Sequence, residues 1–512
     1  MLFKLAIPPG LFKNGTQYQS SGRFYDANLV RFFEGQIRPF KGWATGLTGT
    51  LSGNPRAAHA WKDNDGDAFA AFGTHTKLYS HNGTTLEDIT PSAGASAVEF
   101  LAEDGTTEIF TEDSATLLTE TGFNGGDADA ATWTLDNFGE LLVACNDAER
   151  AIYEWQPGGG LDATEITNAP TARAVFVTEQ RFIVALGSDG DPRRVAWNDQ
   201  ENRTVWTASS TNQAGDINLQ TAGVVMCGGK VRGGGLIWTD LDLHLMRYQG
   251  LPDVYGIERV GNDCGIIGRH AFQIVDSVAY WMGQNGFYRY VGYVEPLPCE
   301  ISDDVFSHLN TAYKSKVWCQ HYPQFGEVHF HYPRIATLGQ EDGDELLLES
   351  GGEILAEGGA TECSHAAIYN YREGHWNHTE MARNCGFAEG PFAYPLMVNS
   401  SGAMLYHEYG WSYDSGVRRA VSGPIEIGDG ERRLQIDEFI PDEATQGDCE
   451  VYFFTRETPN ASEYEIGPYN AADRVGVIAT ARQARIEIRA ESATQDFRIG
   501  NYRVSAKIRG RY

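Results

Sequence analysis

The 512-residue sequence has no long apolar run, and none of its stretches approaches the roughly 20 residues that a membrane-spanning helix needs. Its mean hydropathy is −0.36, and its N-terminus lacks the apolar core and small-residue cleavage site of a secretory signal. The 8 cysteines form no CxxC pair, which excludes a zinc ribbon and a thioredoxin motif. We therefore expect a soluble chain with free, buried thiols that stays in the compartment where it is made.

Catalytic motifs are also missing. The sequence contains no HExxH, GxSxG or GxxxxGK[ST], and no SxDxGxxW box of the sialidase type. Residues 63–67 resemble the start of a calcium loop but lack its closing glutamate, so a turn is the favoured interpretation. His329 and His331 share one strand face near His308 and His321, which leaves open a metal site or a polar strand face without metal. We predict no catalytic, cofactor-binding or metal-binding residue.

Positive charge is scarce, and the formal net charge is −29. Residues 78–149 contain no Lys or Arg but 15 acidic residues, and residues 335–371 contain eight acidic residues and no basic one. Only the end is basic, with eight Lys and Arg against three acidic residues in 480–512. Because binding DNA tightly requires basic residues that displace counterions, any contact with DNA should be loose.

What the sequence does contain is a β pattern of short runs rich in Val, Ile, Tyr, Phe and Trp, separated by Gly, Asn and Asp. A motif recurs in which an apolar residue is usually followed by Tyr and, a few positions later, by Gly. Its copies begin at Leu78, Ile152, Leu245, Phe287, Ile368 and Leu405, with spacings of 74, 93, 42, 81 and 37 residues. A period near 40, with the wider gaps near doubles, predicts a β-propeller of six or seven blades. A stacked β-sandwich is the alternative.

A second, acidic repeat lies in two of the wide gaps. It pairs apolar residues with an acidic turn, which is typical of short hairpins that need a neighbour to cover their apolar side. We predict hairpin insertions near 96–128 and 336–363, carrying Glu103, Glu112, Glu120, Glu349 and Glu357.

The chain ends differ from the middle. Residues 1–56 are aromatic and basic and predict an extended arm, residues 57–417 the propeller, and residues 418–512 a β-sandwich. We expect the arm and the sandwich to pack together as a platform.

Three segments resemble tail nozzle proteins of short-tailed bacteriophages, also called tail hub or head-stabilisation proteins. The first is residues 14–43. The second consists of the two stretches Tyr280-Trp-Met-Gly-Gln-Asn-Gly-Phe-Tyr288 and Leu297-Pro-Cys-Glu300, and the third is residues 497–503 with the basic tail. The resemblance implies a ring, usually of six copies, beneath the portal and its adaptor ring, with DNA leaving through the central channel. It also implies attachment of tail fibres or spikes, a location in the virion tail after assembly in the host cytoplasm, and no insertion in a membrane. An acidic channel wall would repel phosphates and let DNA pass.

We expect roles for two residue sets, of which only the first lies in a segment that resembles the family. The first set docks the platform on the adaptor ring, since aromatic and Arg side chains are common interface anchors; it comprises Arg23, Phe24, Tyr25, Arg31, Phe32, Phe33, Arg38 and Trp43. Equally open is that the arm only closes the propeller by pairing its first and last strands. The second set, the five glutamates of the acidic hairpins, matches no position of the family. Because the apolar side of these hairpins needs a neighbour, we expect them to extend the nozzle tip or hold fibres, with a solvated loop as the alternative.

Two other classes compete with this structural role. A propeller glycoside hydrolase or lyase acting on host polysaccharide would use the aromatic residues to line a sugar groove. A cellular propeller scaffold fits the repeats but not the resemblance in residues 14–43. We therefore expect a structural protein without enzymatic activity or cofactor.

Overall fold

The Val-, Tyr- and Trp-rich runs form β-strands throughout the computed structural model, which describes residues 2–5, 7–91, 131–160, 162–337, 355–414, 416–426, 432–490 and 496–510. Within these ranges the only α-helix is α1, Ser302–Ser307, accompanied by 3-10 turns at Gln17–Ser20, Ser188–Gly190 and Thr311–Lys316. No helix in the described part is long and apolar enough to cross a bilayer. All 8 cysteines are free, and all but Cys299 are buried, which confirms the expectation of structural thiols.

Seven four-stranded antiparallel sheets make up the described part of a β-propeller, which confirms the predicted fold class and gives the blade number. Blade 1 consists of Pro55–Lys62, Ala68–Thr74, Leu78–His81 and Leu86–Asp88, and blade 2 of Trp133–Phe138, Leu141–Asn146, Ile152–Trp155 and Thr164–Glu165. Blade 3 consists of Ala174–Val177, Ile183–Leu186, Arg194–Trp197 and Gly215–Asn218, and blade 4 of Val225–Val231, Gly234–Thr239, Leu243–Gly250 and Val254–Gly261. Blade 5 consists of Phe272–Val275, Val278–Met282, Phe287–Tyr290 and Val294–Leu297, and blade 6 of Trp318–Tyr322, Glu327–Tyr332, His365–Asn370 and His375–Glu380. Blade 7 consists of Cys385–Phe387, Leu396–Val398, Ala403–His407 and Trp43–Thr50.

The first strand of each blade is innermost, because these strands contact one another around the ring. The ring is closed in blade 7, where the early strand Trp43–Thr50 pairs with Ala403–His407. Residues 43–50 of the predicted arm therefore belong to the propeller, and the arm does pair the first and last parts of the propeller chain.

The recurring motif falls on the third strand of six blades, and its glycine lies in or just after that strand. In five of these blades the chain then turns into the fourth strand, whereas in blade 7 it continues to the sandwich. These glycines have positive φ, from 68° to 103°, a conformation that costs glycine little; they are Gly83, Gly158, Gly250, Gly292, Gly374 and Gly410. Blade 3 lacks the motif, and its third strand is Arg194–Trp197.

The platform is a sandwich of two sheets built from both chain ends, as expected. In spatial order, the first sheet contains Leu2–Leu5, Tyr502–Ile508, Leu434–Pro441 and Val475–Ala481. The second contains Phe24–Asn28, Arg418–Ser422, Gln483–Ala490, Glu450–Arg456 and Tyr464–Asn470, with Ile425–Glu426 also paired to Gln483–Ala490. Two short ladders pair Val30–Phe33 with Gln36–Pro39 and Gln446–Gly447 with Phe497–Arg498.

The second acidic insertion leaves blade 6 between its second and third strands. Its base is a two-stranded antiparallel ladder of Ile335–Thr337 and Leu355–Gly359. Glu357 lies in the second of these strands. The other four glutamates predicted at the hairpin tips, Glu103, Glu112, Glu120 and Glu349, lie outside the described residues, as does most of the insertion predicted near 96–128.

One apolar core runs through blades 4 to 6 and into the sandwich. It includes Trp281 of blade 5, Trp376 of blade 6, Phe32 of the arm and Phe453 of the sandwich. Because these side chains form a single cluster, the platform and this side of the propeller pack as one unit.

Candidate interaction site at the junction of propeller and platform

Arg31 is the centre of a buried ion-pair cluster between the arm and the propeller. Its side chain is 2% exposed, with Nε 3.2 Å from Oε1 of Glu327 and its two terminal nitrogens 2.6 and 3.1 Å from the carboxylate oxygens of Glu408. The guanidinium carbon also lies 3.5 Å from the ring centroid of Phe325 and 4.2 Å from that of Phe40. The arm is thus fastened to blade 6 and to the turn after the third strand of blade 7.

The charges in this cluster compensate one another. Burial raises the pKa of Glu327, but Arg31 and a hydrogen bond from His329 outweigh it, so the pKa lies below its usual value. Burial lowers the pKa of His329, and the neutral ring donates Nε2–H to the carboxylate at 3.0 Å. Glu327 therefore stays ionised, and removing its cation would leave a buried charge without compensation.

A second charge cluster joins the arm, helix α1, blade 6 and the sandwich. Lys13 Nζ is 2.9 Å from Asp26, and Arg334 Nη1 is 2.9 Å from Asp304. Arg419 of the sandwich reaches Asp26 at 2.9 Å. Burial raises the pKa of both carboxyls, but Lys13 and its neighbouring arginines hold each well below the usual range.

Four of the eight predicted docking residues are buried, where they make contacts between the arm and the rest of the chain. Phe24 and Phe32 pack with ring centroids 4.9 Å apart, and Arg31 holds the cluster described above. Trp43 stacks on His407 at 5.0 Å and donates from Nε1 to Asp414 at 2.8 Å. Their aromatic and Arg character serves an interface within one chain.

The other four predicted residues are only partly buried. Arg23 forms a two-pronged ion pair with Glu300, in which one nitrogen to oxygen distance is 2.9 Å. Arg38 lies over the ring of Phe33 at 5.2 Å, and Tyr25 lies beneath Lys13 at 5.8 Å. These side chains keep an accessible surface for a partner.

The three segments that carry the family resemblance meet at this junction. Asn14 Nδ2 donates to the carbonyl of Cys299 at 2.8 Å, and the backbone of Glu300 accepts from the amides of residues 13 and 14. Ile37 and Ile499 exchange two backbone hydrogen bonds of 2.9 Å. Segments more than 450 residues apart in sequence thus form one structural unit.

The propeller channel is narrow. It encloses a cavity of about 530 Å³ lined by the innermost strands of the blades. Its carboxylate Asp136 is paired with Lys230 at 2.9 Å, and His270 contacts the carbonyl of Trp133 at 2.7 Å. A volume of this size is that of a small-molecule pocket, so the innermost strands of one copy do not enclose a conduit for duplex DNA.

The histidines considered as metal ligands have separate partners. His321 contacts the Tyr371 hydroxyl at 3.0 Å, His331 stacks on Trp318 at 4.2 Å, and His308 contacts the backbone of α1. Together with the contact of His329 to Glu327, this favours the polar-strand alternative. In the described ranges no group of three potential metal ligands comes together.

Sequence reasoning missed the acidic partners Glu327, Glu408 and Asp304. A charged residue that begins an otherwise apolar strand, as Glu327 does in Glu327–Tyr332, is the available signal. A charged residue in such a position predicts a buried residue of opposite charge, but the pattern does not say which part of the chain supplies that residue.

No family model matches the sequence, and no curated protein does. Solved structures resemble the fold only distantly. The β-propeller domain of Myceliophteria thermophila Cps50 (Swd1) is 7% identical, with a TM-score of 0.40 over 71% of this chain and 99% of that one. The BBS1N structure in complex with ARL6DN is 11% identical, with a TM-score of 0.36 over 72% and 96%. An exo-β-1,3-galactanase from Phanerochaete chrysosporium is 9% identical, with a TM-score of 0.28 over 90% and 99%.

Proposed function

We propose that this chain is a structural protein of the tail of a short-tailed bacteriophage. Several copies, six in the simplest case, form a nozzle or hub ring below the portal and adaptor. The channel between copies conducts the genome, and the ring holds tail fibres.

The observation that carries this proposal is the convergence of the three resembling segments at the junction. If the resemblance were accidental, nothing would require residues 14–43 to contact both residues 297–300 and residues 497–503. Their mutual backbone hydrogen bonds are consistent with a shared platform design. The platform also retains partly exposed Arg23 and Arg38, which suit contact with a second ring.

The charge distribution supports the same proposal. The long base-free stretch 78–149 spans the connection between blades 1 and 2, and the second base-free stretch spans the insertion in blade 6. A surface of this sign repels DNA phosphates, which a conduit requires.

The decisive experiment combines light scattering with negative-stain imaging of the purified protein, alone and mixed with its own virions stripped of tails. We expect a ring with an open centre, formed alone or on the stripped heads. A compact monomer that does not bind heads would overturn the proposal.

A truncation of residues 1–43 does not test docking, because it removes two strands of the sandwich and Arg31. Surface variants are needed instead. We expect Arg38→Glu to weaken binding to stripped heads while the melting temperature stays near that of the wild type. Arg181→Glu, an exposed propeller arginine, is the matched control and should bind normally.

A further inference from the structure

Within the part of the chain that the structure describes, the first sheet of the sandwich ends in two open edges. Among the described residues, Val475–Ala481 pairs only with Leu434–Pro441, and Leu2–Leu5 pairs only with residues 502–505. An edge strand offers a row of unpaired N–H and C=O groups to any other strand.

The edges of the second sheet are protected. Tyr464–Asn470 contains Glu465 and Pro468, and both charge and proline discourage further pairing. Phe24–Asn28, at the opposite end, lies against His375–Glu380 of blade 6.

The edge Val475–Ala481 has no such protection. Its sequence, Val-Gly-Val-Ile-Ala-Thr-Ala, contains neither a charge nor a proline, and Ile478 is 84% exposed. Natural proteins rarely leave an apolar, uncharged edge bare, because it would recruit strands from other chains. A specific partner that covers this edge resolves the difficulty.

We propose that the Leu2–Leu5 strand of a neighbouring copy pairs with Val475–Ala481, and that this pairing is the contact that closes the ring. The inference rests on the proposed ring and names its interface. The two edges lie at opposite ends of one sheet, so one copy does not pair them with each other. A head-to-tail contact between different surfaces is the kind that generates rings.

Strand direction supports this pairing. All three pairings in the sheet are antiparallel, so with four strands the two edges run in opposite directions. When a copy is rotated about an axis along the strands, its Leu2–Leu5 strand meets Val475–Ala481 in antiparallel orientation. Strand direction then continues to alternate from one copy to the next, and the hydrogen bonds between copies form an antiparallel ladder, which is slightly more stable than a parallel one.

The first test places charges on the edge. Ile478 and Thr480 are both exposed, so the double substitution Ile478→Lys with Thr480→Lys leaves the core intact. We expect the mass measured by light scattering to fall from that of the ring to that of a monomer, with an unchanged circular dichroism spectrum. Leu251→Lys, at another highly exposed apolar residue in a turn of blade 4, is the matched control and should keep the ring. A double variant that still forms rings at the wild-type concentration would overturn the inference.

The second test traps the contact. One preparation carries Lys4→Cys and the other Ile478→Cys; oxidation of the mixture should give a disulfide-linked dimer that neither preparation gives alone. Native thiols interfere little, since all but Cys299 are buried. Rings without this dimer would refute the edge pairing alone and leave the nozzle proposal standing. Absence of rings from the wild-type protein, both alone and on heads, would refute both.

Discussion

Blades 3 and 6 have the same four-stranded design but opposite interiors. Blade 3 is filled with apolar side chains such as Phe176, Val184 and Leu186, and its cation Arg194 pairs with acidic residues in solvent. Blade 6 buries Glu327, and six histidines lie on its strands: His321, His329, His331, His365, His375 and His378. The outer strand of blade 6 is covered by the arm, whereas the outer strand of blade 3 is partly exposed. A polar interior is stable only where a neighbour completes its hydrogen bonds, so blade 6 depends on the arm and blade 3 does not.

Removing the cation at the centre of the junction should have the largest effect. Arg31→Met leaves Glu327 and Glu408 buried without compensation, and we expect the free energy of unfolding to fall by about 3–5 kcal/mol. Urea titration followed by tryptophan fluorescence measures it. Adding Glu327→Gln and Glu408→Gln should restore part of the loss. A loss below about 1 kcal/mol in Arg31→Met would mean that blade 6 does not rely on the arm.

A neutral contact across the same junction should contribute less. The Asn28 side-chain oxygen accepts hydrogen bonds from the Thr379 hydroxyl at 3.0 Å and the Glu380 amide at 2.9 Å. Asn28→Ala leaves these donors unpaired, with an expected loss of about 1–3 kcal/mol in the same titration. Asn218→Ala removes an exposed asparagine contact in blade 3 and should change stability little. Equal losses in both variants would contradict the comparison.

Acidification should weaken blade 6 more than blade 3. Burial lowers the pKa of His378 to about 3 in the folded chain. The positive charges of Lys13 and Arg334 lower this pKa further, whereas the negative charge of Asp304 raises it. In the unfolded chain the His378 ring binds a proton below about pH 6.5, so the free energy of unfolding falls as the pH drops below 6.5. The loss ends near pH 3, where the folded chain binds the same proton. The slope is up to ~1.4 kcal/mol per pH unit for this residue.

Urea titrations at pH 7, 6 and 5 measure this dependence above the range in which the carboxyls of Asp26 and Asp304 titrate. His378→Gln should reduce the slope. Blade 3 contains no histidine, so hydrogen exchange of its amides should respond less to pH than that of blade 6. An unchanged slope in His378→Gln would assign the dependence to other groups.

The smallest effect is expected on the blade 3 side. Arg194 pairs with Asp189 at 2.6 Å and Asp216 at 3.1 Å, but these carboxylates are about half exposed. Because solvent screens such pairs, Arg194→Ala should cost about 0–1 kcal/mol. A loss comparable to that of Arg31→Met would show that burial does not distinguish the two blades.

The sequence motif located six of the seven blades, because the turn after the third strand favours a glycine at positive φ. The wide spacings between copies of the motif were interpreted as near doubles of the period, each containing an additional blade, and this was correct for one gap of three. The gap of 93 residues contains blade 3, whereas the gaps of 74 and 81 contain the connection after blade 1 and the insertion in blade 6. Length alone does not distinguish a hidden blade from an insertion, but the absence of basic residues in the two insertions does mark them.

The arm was harder to interpret from sequence. Aromatic and Arg side chains anchor interfaces within a chain and between chains by the same chemistry, so composition could not show that Arg31 and Trp43 face inward. The partners Glu327 and Glu408 follow Arg31 by 296 and 377 residues. Such pairing is set by topology, which no local pattern reveals.

The closure of blade 7 sets the order in which the protein can finish folding during synthesis. Trp43–Thr50 emerges from the ribosome early, but Ala403–His407 emerges some 350 residues later, which is roughly 20–70 s at 5–20 residues per second. For that interval the propeller remains an open chain of blades with an unpaired strand at each end. A nascent-chain experiment should therefore find protease protection of Trp43–Thr50 only after residue 407 has left the exit tunnel.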